Sequence, residues 1–162
     1  KYKNLKVFIS GQKYFGLCIY RLCKKLGCEI VGVCAPPGDK YLMDLATKDG
    51  VKNIVVGGGL DFHTMPDGVD LGIAAHSFDY VGKRTRLKTS LGWLGYHPSL
   101  LPRHRGRSAI EWAVRMRDPI TGGSVFWLNA GIDRGDIFLQ DFIFIDPKLY
   151  SQNSFQSLLC WK

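Results

Sequence analysis

The sequence lacks any apolar stretch that could cross a membrane. Its uninterrupted apolar runs are short, Val7-Phe8-Ile9 and Gly72-Ile73-Ala74-Ala75 among them, against the roughly 20 residues a spanning helix needs. No signal-peptide core follows the basic start, so the expected location is cytoplasmic and no membrane partner is expected. The chain also lacks CxxC: its five cysteines, Cys18, Cys23, Cys28, Cys34 and Cys160, are odd in number and sit mostly in apolar surroundings. They read as buried reduced thiols, not disulfides or a metal site. None of the four histidines, His63, His76, His97 and His104, has the spacing of a zinc helix, so no metal is expected. Acid is scarce as well, with 14 Asp and Glu against 22 Lys and Arg, a net charge of +8. The excess gathers in KRTRLK (83–88), RHRGR (103–107) and Arg115 with Arg117. Such patches attract anionic ligands, nucleic acid among them, or form a solvated face.

What is present suits one soluble globular domain spanning residues 1–162, with 46% apolar and 22% charged residues. KVFISG (Lys6 to Gly11) reads as a strand entering a glycine turn, and Tyr14 to Leu26 as a helix. That helix places Leu17, Tyr20, Leu22, Cys23 and Leu26 mostly on one face and stops at Gly27. Further strands are expected at Glu29–Cys34, Asn53–Val56, Asp70–Ala75, Gly92–Tyr96, Gly123–Leu128 and Asp136–Ile145. Helices are expected over Lys40–Lys48, Val81–Thr89 and Ser108–Arg117, the last with Ser108 and Glu111 in a capping-box arrangement. The closing SFQSLLCWK resembles the start of a helix. The alternation argues for an α/β fold, a mostly parallel sheet with helices on both faces.

The Gly11 to Gly16 turn (GQKYFG) is not a nucleotide loop. Leu17-Cys18 stand where a P-loop needs Lys and Ser or Thr, and the third glycine of a dinucleotide fingerprint is missing. It could still offer backbone donors to an anion at a helix start. The chemistry points instead to GYHPSLLPRHRG, residues 95–106. Pro98 and Pro102 fix φ in a loop that is neither helix nor strand. His97 falls just past the carboxyl end of an expected strand, where open α/β sheets place ligands. A second segment, GIDRGD (Gly131 to Asp136), brackets Asp133 between glycines. A carboxylate near an imidazole holds it in one orientation and favours its charged form.

These residues resemble the folate-dependent formyltransferases, whose shared signature is a histidine in HPSLLP and an aspartate in a glycine-bracketed loop. Here they are His97 and Asp133, 133 − 97 = 36 positions apart. KVFISGQKYFG with YRLCKKLGCEIVGV is similar to the family's first βαβ unit. YHPSLLPRHRG is similar to the same stretch in the branch formed by the hydrolase domain of 10-formyltetrahydrofolate dehydrogenase. The resemblance implies a Rossmann-like formyltransferase catalytic domain without a C-terminal accessory domain, with 10-formyltetrahydrofolate as formyl donor and a small anionic amine as acceptor. His97 would face the formyl oxygen and Asp133 would assist proton movement. Phe78, Asp79, Tyr80 and Val81, with Leu128, Asn129 and Ala130, would line the pterin cleft. Gly11, Gln12, Lys13 and Tyr14 would contact the acceptor.

One departure stands out. Most family transferases carry asparagine two residues before the histidine, and this chain has Gly95. That keeps two alternatives open: a 10-formyltetrahydrofolate hydrolase, whose acceptor is water, and a catalytically inactive folate- or nucleic-acid-binding module. A homodimer through the last segment is compatible with the sequence.

Overall fold

The computed structural model describes residues 4–77 and 79–150. The chain divides into two compact units, residues 1–95 and 96–162. In the first, strands β1 (Lys6–Gly11), β2 (Glu29–Ala35), β3 (Asn53–Val56), β4 (Leu71–Ala75) and the stretch Gly92 to Gly95 of β5 (Gly92–His97) pair in the order β3-β2-β1-β4-β5. Every pairing is parallel, and β5 meets β4 through Gly92 to Gly95. Parallel strands need crossovers, and α1 (Lys13–Lys25), α2 (Leu42–Lys48) and α3 (Lys83–Leu87) lie in the connections. The expected α/β class is therefore the observed one. Val7, Phe8 and Ile9 of β1 are all essentially inaccessible, as strands covered on both faces should be.

Helix α1 buries Leu17, Tyr20 and Cys23, three residues apart on one stripe. Leu22 and Leu26, expected on the same face, are about half exposed at 49% and 47%; they fall to the side of the stripe. Gly27, at φ +81, ends the helix. Its amide donates to the Lys24 carbonyl and that of Cys28 to the Cys23 carbonyl, the paired bonds of a Schellman stop. Burial pushes the Cys23 thiol up to about 11 and the Cys34 thiol up to about 12, the latter helped by Asp79. Both are poor nucleophiles at neutral pH. Among the described residues Cys18, Cys23, Cys28 and Cys34 are free; Cys160 and the expected last helix lie outside them.

Gly72 in β4 is required by close approach. The fully buried Trp93 lays its indole where a β-carbon would stand, and the Phe8 ring lies 6.0 Å from it. Gly72→Ala should therefore cost about 2 kcal/mol. A urea midpoint lowered at unchanged slope would establish this, and an unchanged midpoint would contradict it.

In the second unit, α4 (Ala109–Arg115) precedes β6 (Ile120–Trp127) and β7 (Ile137–Phe144), which pair antiparallel from Ile120↔Phe144 to Phe126↔Ile137. A 3-10 turn follows at Pro147–Tyr150. β6 begins three residues before its expected start at Gly123. The expected capping box at α4 is not formed: Ser108 sits at φ +59 without a side-chain cap, and Glu111 pairs with Arg115 at 2.5 Å. A left-handed residue lacks the extended N-cap geometry that aims a hydroxyl at the first turn. Among the described residues no helix is long and apolar enough to cross a membrane.

Candidate active site

His97 is the last residue of β5, not the first beyond it. Its side chain is 8% exposed. The imidazole Nε2 stands 2.7 Å from the His104 carbonyl oxygen. A carbonyl only accepts, so Nε2 carries the hydrogen. The other nitrogen, Nδ1, lies 3.5 Å from Asp133 Oδ2. The sequence-predicted pair is thus brought together at salt-bridge distance, both members within the second unit.

The loop that aims His97 is locked from several sides. Ser99 Oγ donates to the Arg103 carbonyl at 2.6 Å. The buried Ser124 hydroxyl on β6 donates to the Ser99 carbonyl at 2.6 Å and accepts the Leu101 amide at 3.0 Å. From β7, Gln140 Nε2 donates to Ser124 Oγ at 2.7 Å and to the Leu101 carbonyl at 2.9 Å. Pro98 and Pro102 remove competing donors, and the Leu101–Pro102 peptide is cis. A loop without regular structure has satisfied its backbone through side chains.

Asp133 adopts a left-handed backbone at φ +50, a region that Asp tolerates better than most residues. Its Oδ2 accepts the Gly106 amide at 2.7 Å, and its carbonyl accepts Arg105 Nε at 3.0 Å. Asn129 braces the same turn, accepting the Gly131 amide at 2.8 Å and donating to the Arg134 carbonyl at 3.0 Å. The end of HPSLLPRHRG therefore holds the carboxylate that faces its first histidine. An imidazole and a carboxylate at this separation can present a donor and a proton acceptor to the same small group.

Sequence reasoning missed the second tier of this site. Asp118 is buried at 6% exposure and binds Arg103 through Nε at 2.8 Å and through Nη2. It also lies 2.5 Å from His104 Nε2. The one available signal was that Asp118 is the sole acid between Glu111 and Asp133 in a basic stretch. The Arg103 guanidinium, first, and the His104 ring hold the Asp118 carboxyl below the usual carboxylate range against its burial. A depressed folded value makes the stabilisation complete above the unfolded value of roughly 3.9, and it is lost as pH falls through the folded value. The melting temperature of the native protein should exceed that of Asp118→Asn at pH 7, and the gap should narrow below about pH 4. A gap that is constant with pH would contradict this.

The remaining expected site residues are placed as follows. In the first unit, Gln12 is buried and donates through Nε2 to the His76 carbonyl at 3.0 Å. Lys13 has φ +55, and its amide donates to Asp39 Oδ1 at 3.0 Å. Gly11 closes β1, and Tyr14 is 58% exposed. One amide expected to serve an anion is thus taken by the chain's own carboxylate. Asp79 accepts the Gly58 amide at 2.7 Å and the Cys34 thiol at 3.4 Å. Tyr80 is exposed and Val81 buried, while Phe78 lies outside the described residues. In the second unit, Leu128, Asn129 and Ala130 lead from β6 into the Asp133 turn, with Asn129 and Ala130 exposed. No group of three His, Cys, Asp or Glu side chains among the described residues is placed to hold a metal.

The profile of the formyl transferase family matches residues 66–158, the stretch that contains both His97 and Asp133. Human cytosolic 10-formyltetrahydrofolate dehydrogenase is 34% identical over 149 residues, 84% of this chain and 16% of that protein. The chain thus spans about a sixth of the length of the curated relatives it matches. Among solved structures, glycinamide ribonucleotide transformylase 1 from Symbiobacterium toebii superposes with a TM-score of 0.78 at 20% identity, covering 98% of this chain and 80% of that one. A formyltetrahydrofolate deformylase from Pseudomonas syringae pv. tomato str. DC3000 gives 0.76 at 14% identity, covering 98% and 56%. At these identities the two structures speak for the fold alone.

Proposed function

We propose, from the premise that this chain belongs to the formyl transferase family, that it takes the formyl group of 10-formyltetrahydrofolate and passes it to an amine on a small anionic acceptor. The observation that carries this reading is the buried His97 ring with its Nδ1 3.5 Å from Asp133. The acceptor nitrogen forms a bond to the formyl carbon, the bond from that carbon to folate N10 breaks, and the amine's proton ends on N10. Negative charge gathers on the formyl oxygen in between. A donor already aimed at that oxygen lowers the barrier, because it is not reorganised during the reaction. With Nε2 bonded to the His104 carbonyl, that donor is Nδ1 of His97 when it carries a proton. Asp133, 3.5 Å from Nδ1, receives the proton on its way from the amine to N10. Leu128, Asn129 and Ala130, beside the Asp133 turn, hold the pterin.

A second reading replaces the amine with water, giving formate and tetrahydrofolate. Two observations favour it: Gly95 stands where most family transferases carry asparagine, and the curated relative above is a 10-formyltetrahydrofolate dehydrogenase. A missing oxyanion donor costs on the order of 10²–10³ in rate in other enzymes. The test follows folate product spectroscopically from 10-formyltetrahydrofolate, in buffer and then with a panel of amino sugars and other amines. Release only with an amine supports the first reading, and release in buffer alone the second. No release under either condition removes both.

A further inference from the structure

We propose that His104 and Asp118 are positioning residues for His97, which together fix its hydrogen on Nε2 and leave Nδ1 as the nitrogen that works beside Asp133. The role assigned to Nδ1 rests on the formyl-transfer reading; the positioning itself is a property of the folded chain. The partner of His97 Nε2 is a backbone carbonyl, that of His104, at 2.7 Å. Residue 104 has a left-handed backbone, φ +54, in a loop outside helix and strand. Something must hold that peptide plane. The His104 side chain, 9% exposed, reaches Asp118 Oδ2 at 2.5 Å. Asp118 also grips the preceding residue through the Arg103 guanidinium, while Ser99 Oγ holds the Arg103 carbonyl at 2.6 Å. The peptide before His104 and the His104 side chain are therefore tied down.

Asp118 is itself anchored. Its amide donates to the Ala113 carbonyl at 2.9 Å, and its carbonyl accepts the Tyr150 hydroxyl at 2.5 Å. A fixed chain of contacts thus runs from the end of α4 through a carboxylate, an imidazole and a carbonyl to the His97 ring. An imidazole turned over about its Cβ–Cγ bond keeps its shape but puts Cδ2 and Cε1 where Nδ1 and Nε2 stood. An acceptor held at Nε2 opposes that turn and selects the tautomer with its hydrogen there. Asp133 cannot do this alone, because 3.5 Å is long for a hydrogen bond. The His104 carbonyl provides the short contact.

The test uses the full chain labelled with ¹⁵N and reads the His97 ring nitrogens by long-range proton–nitrogen correlation, beside kcat and KM for folate product release. His104→Gly keeps the left-handed backbone accessible and removes the ring; His104→Gln retains an amide donor able to reach Asp118. The expected result is that His104→Gly moves both His97 nitrogen signals towards tautomer-averaged positions. It also lowers kcat by about 10²-fold, with KM changed far less, as misplacement of a reacting group does. His104→Gln should restore the signals and most of kcat. Asp118→Asn should behave like His104→Gly, and if it does not fold, the His104 pair decides the question. Ring signals unchanged in folded His104→Gly, or a His104→Gln protein no different from His104→Gly, would overturn the proposal. If the native protein releases no folate product, the formyl-transfer reading fails while the ring signals still decide the positioning.

Discussion

Asp133→Asn should lower release of folate product from 10-formyltetrahydrofolate by about 10²–10⁴-fold, the range of a lost proton-transfer group, and leave the protein folded. Asparagine is the informative replacement because it too tolerates the left-handed backbone at this position. Its amide oxygen can still accept the Gly106 amide that Asp133 accepts now. Geometry is largely kept, while charge and proton acceptance are lost. The loss should fall on kcat. A variant that kept native turnover, with an unchanged melting curve, would remove Asp133 from the chemistry and reduce its contact with His97 to packing.

Gly135→Ala should unfold the turn that carries Asp133, destabilising the protein by about 3 kcal/mol. A β-carbon at residue 135 would overlap the Trp127 carbonyl, in the register where the Trp127 amide donates to the Asp136 carbonyl at 2.9 Å. The obstruction is backbone, which cannot swing aside as the end of a side chain can. Relief requires the strand ends of β6 and β7 to separate, taking the Asn129 brace with them. Activity should fall with stability in this variant, in contrast to Asp133→Asn. Denaturant unfolding at matched conditions would show it, and a native midpoint would mean that the turn has room it does not display.

β1 and β3 were legible to the residue because apolar runs with glycine or turn residues at their ends leave little choice of boundary. The start of β6 was not. Ile120 and Thr121 follow Asp118-Pro119, a local turn signal, and become strand through pairing with Ile143 and Phe144 far along the chain. Tertiary pairing overrode local punctuation. His97 and Asp133 could be read because each sits in a motif with its own stiffening residues. Asp118 could not, since its bonds to Arg103 and His104 cross 15 and 14 positions without any periodic signature. The capping box failed for a related reason: Ser108 has the right side chain, but a left-handed backbone withdraws it.

The parallel pairing of the first unit also sets an order of assembly. Val7 of β1 lies beside Leu71 of β4, so that contact closes a loop of more than sixty residues before its ladder forms, whereas β6 meets β7 across a short connection. Loop closure is an entropic toll collected in advance. The β6–β7 hairpin and its Asp133 turn should therefore gain amide protection in pulsed hydrogen exchange before β1 and β4 do, and half of the candidate site would exist while the strand that ends in His97 was still seeking its neighbours.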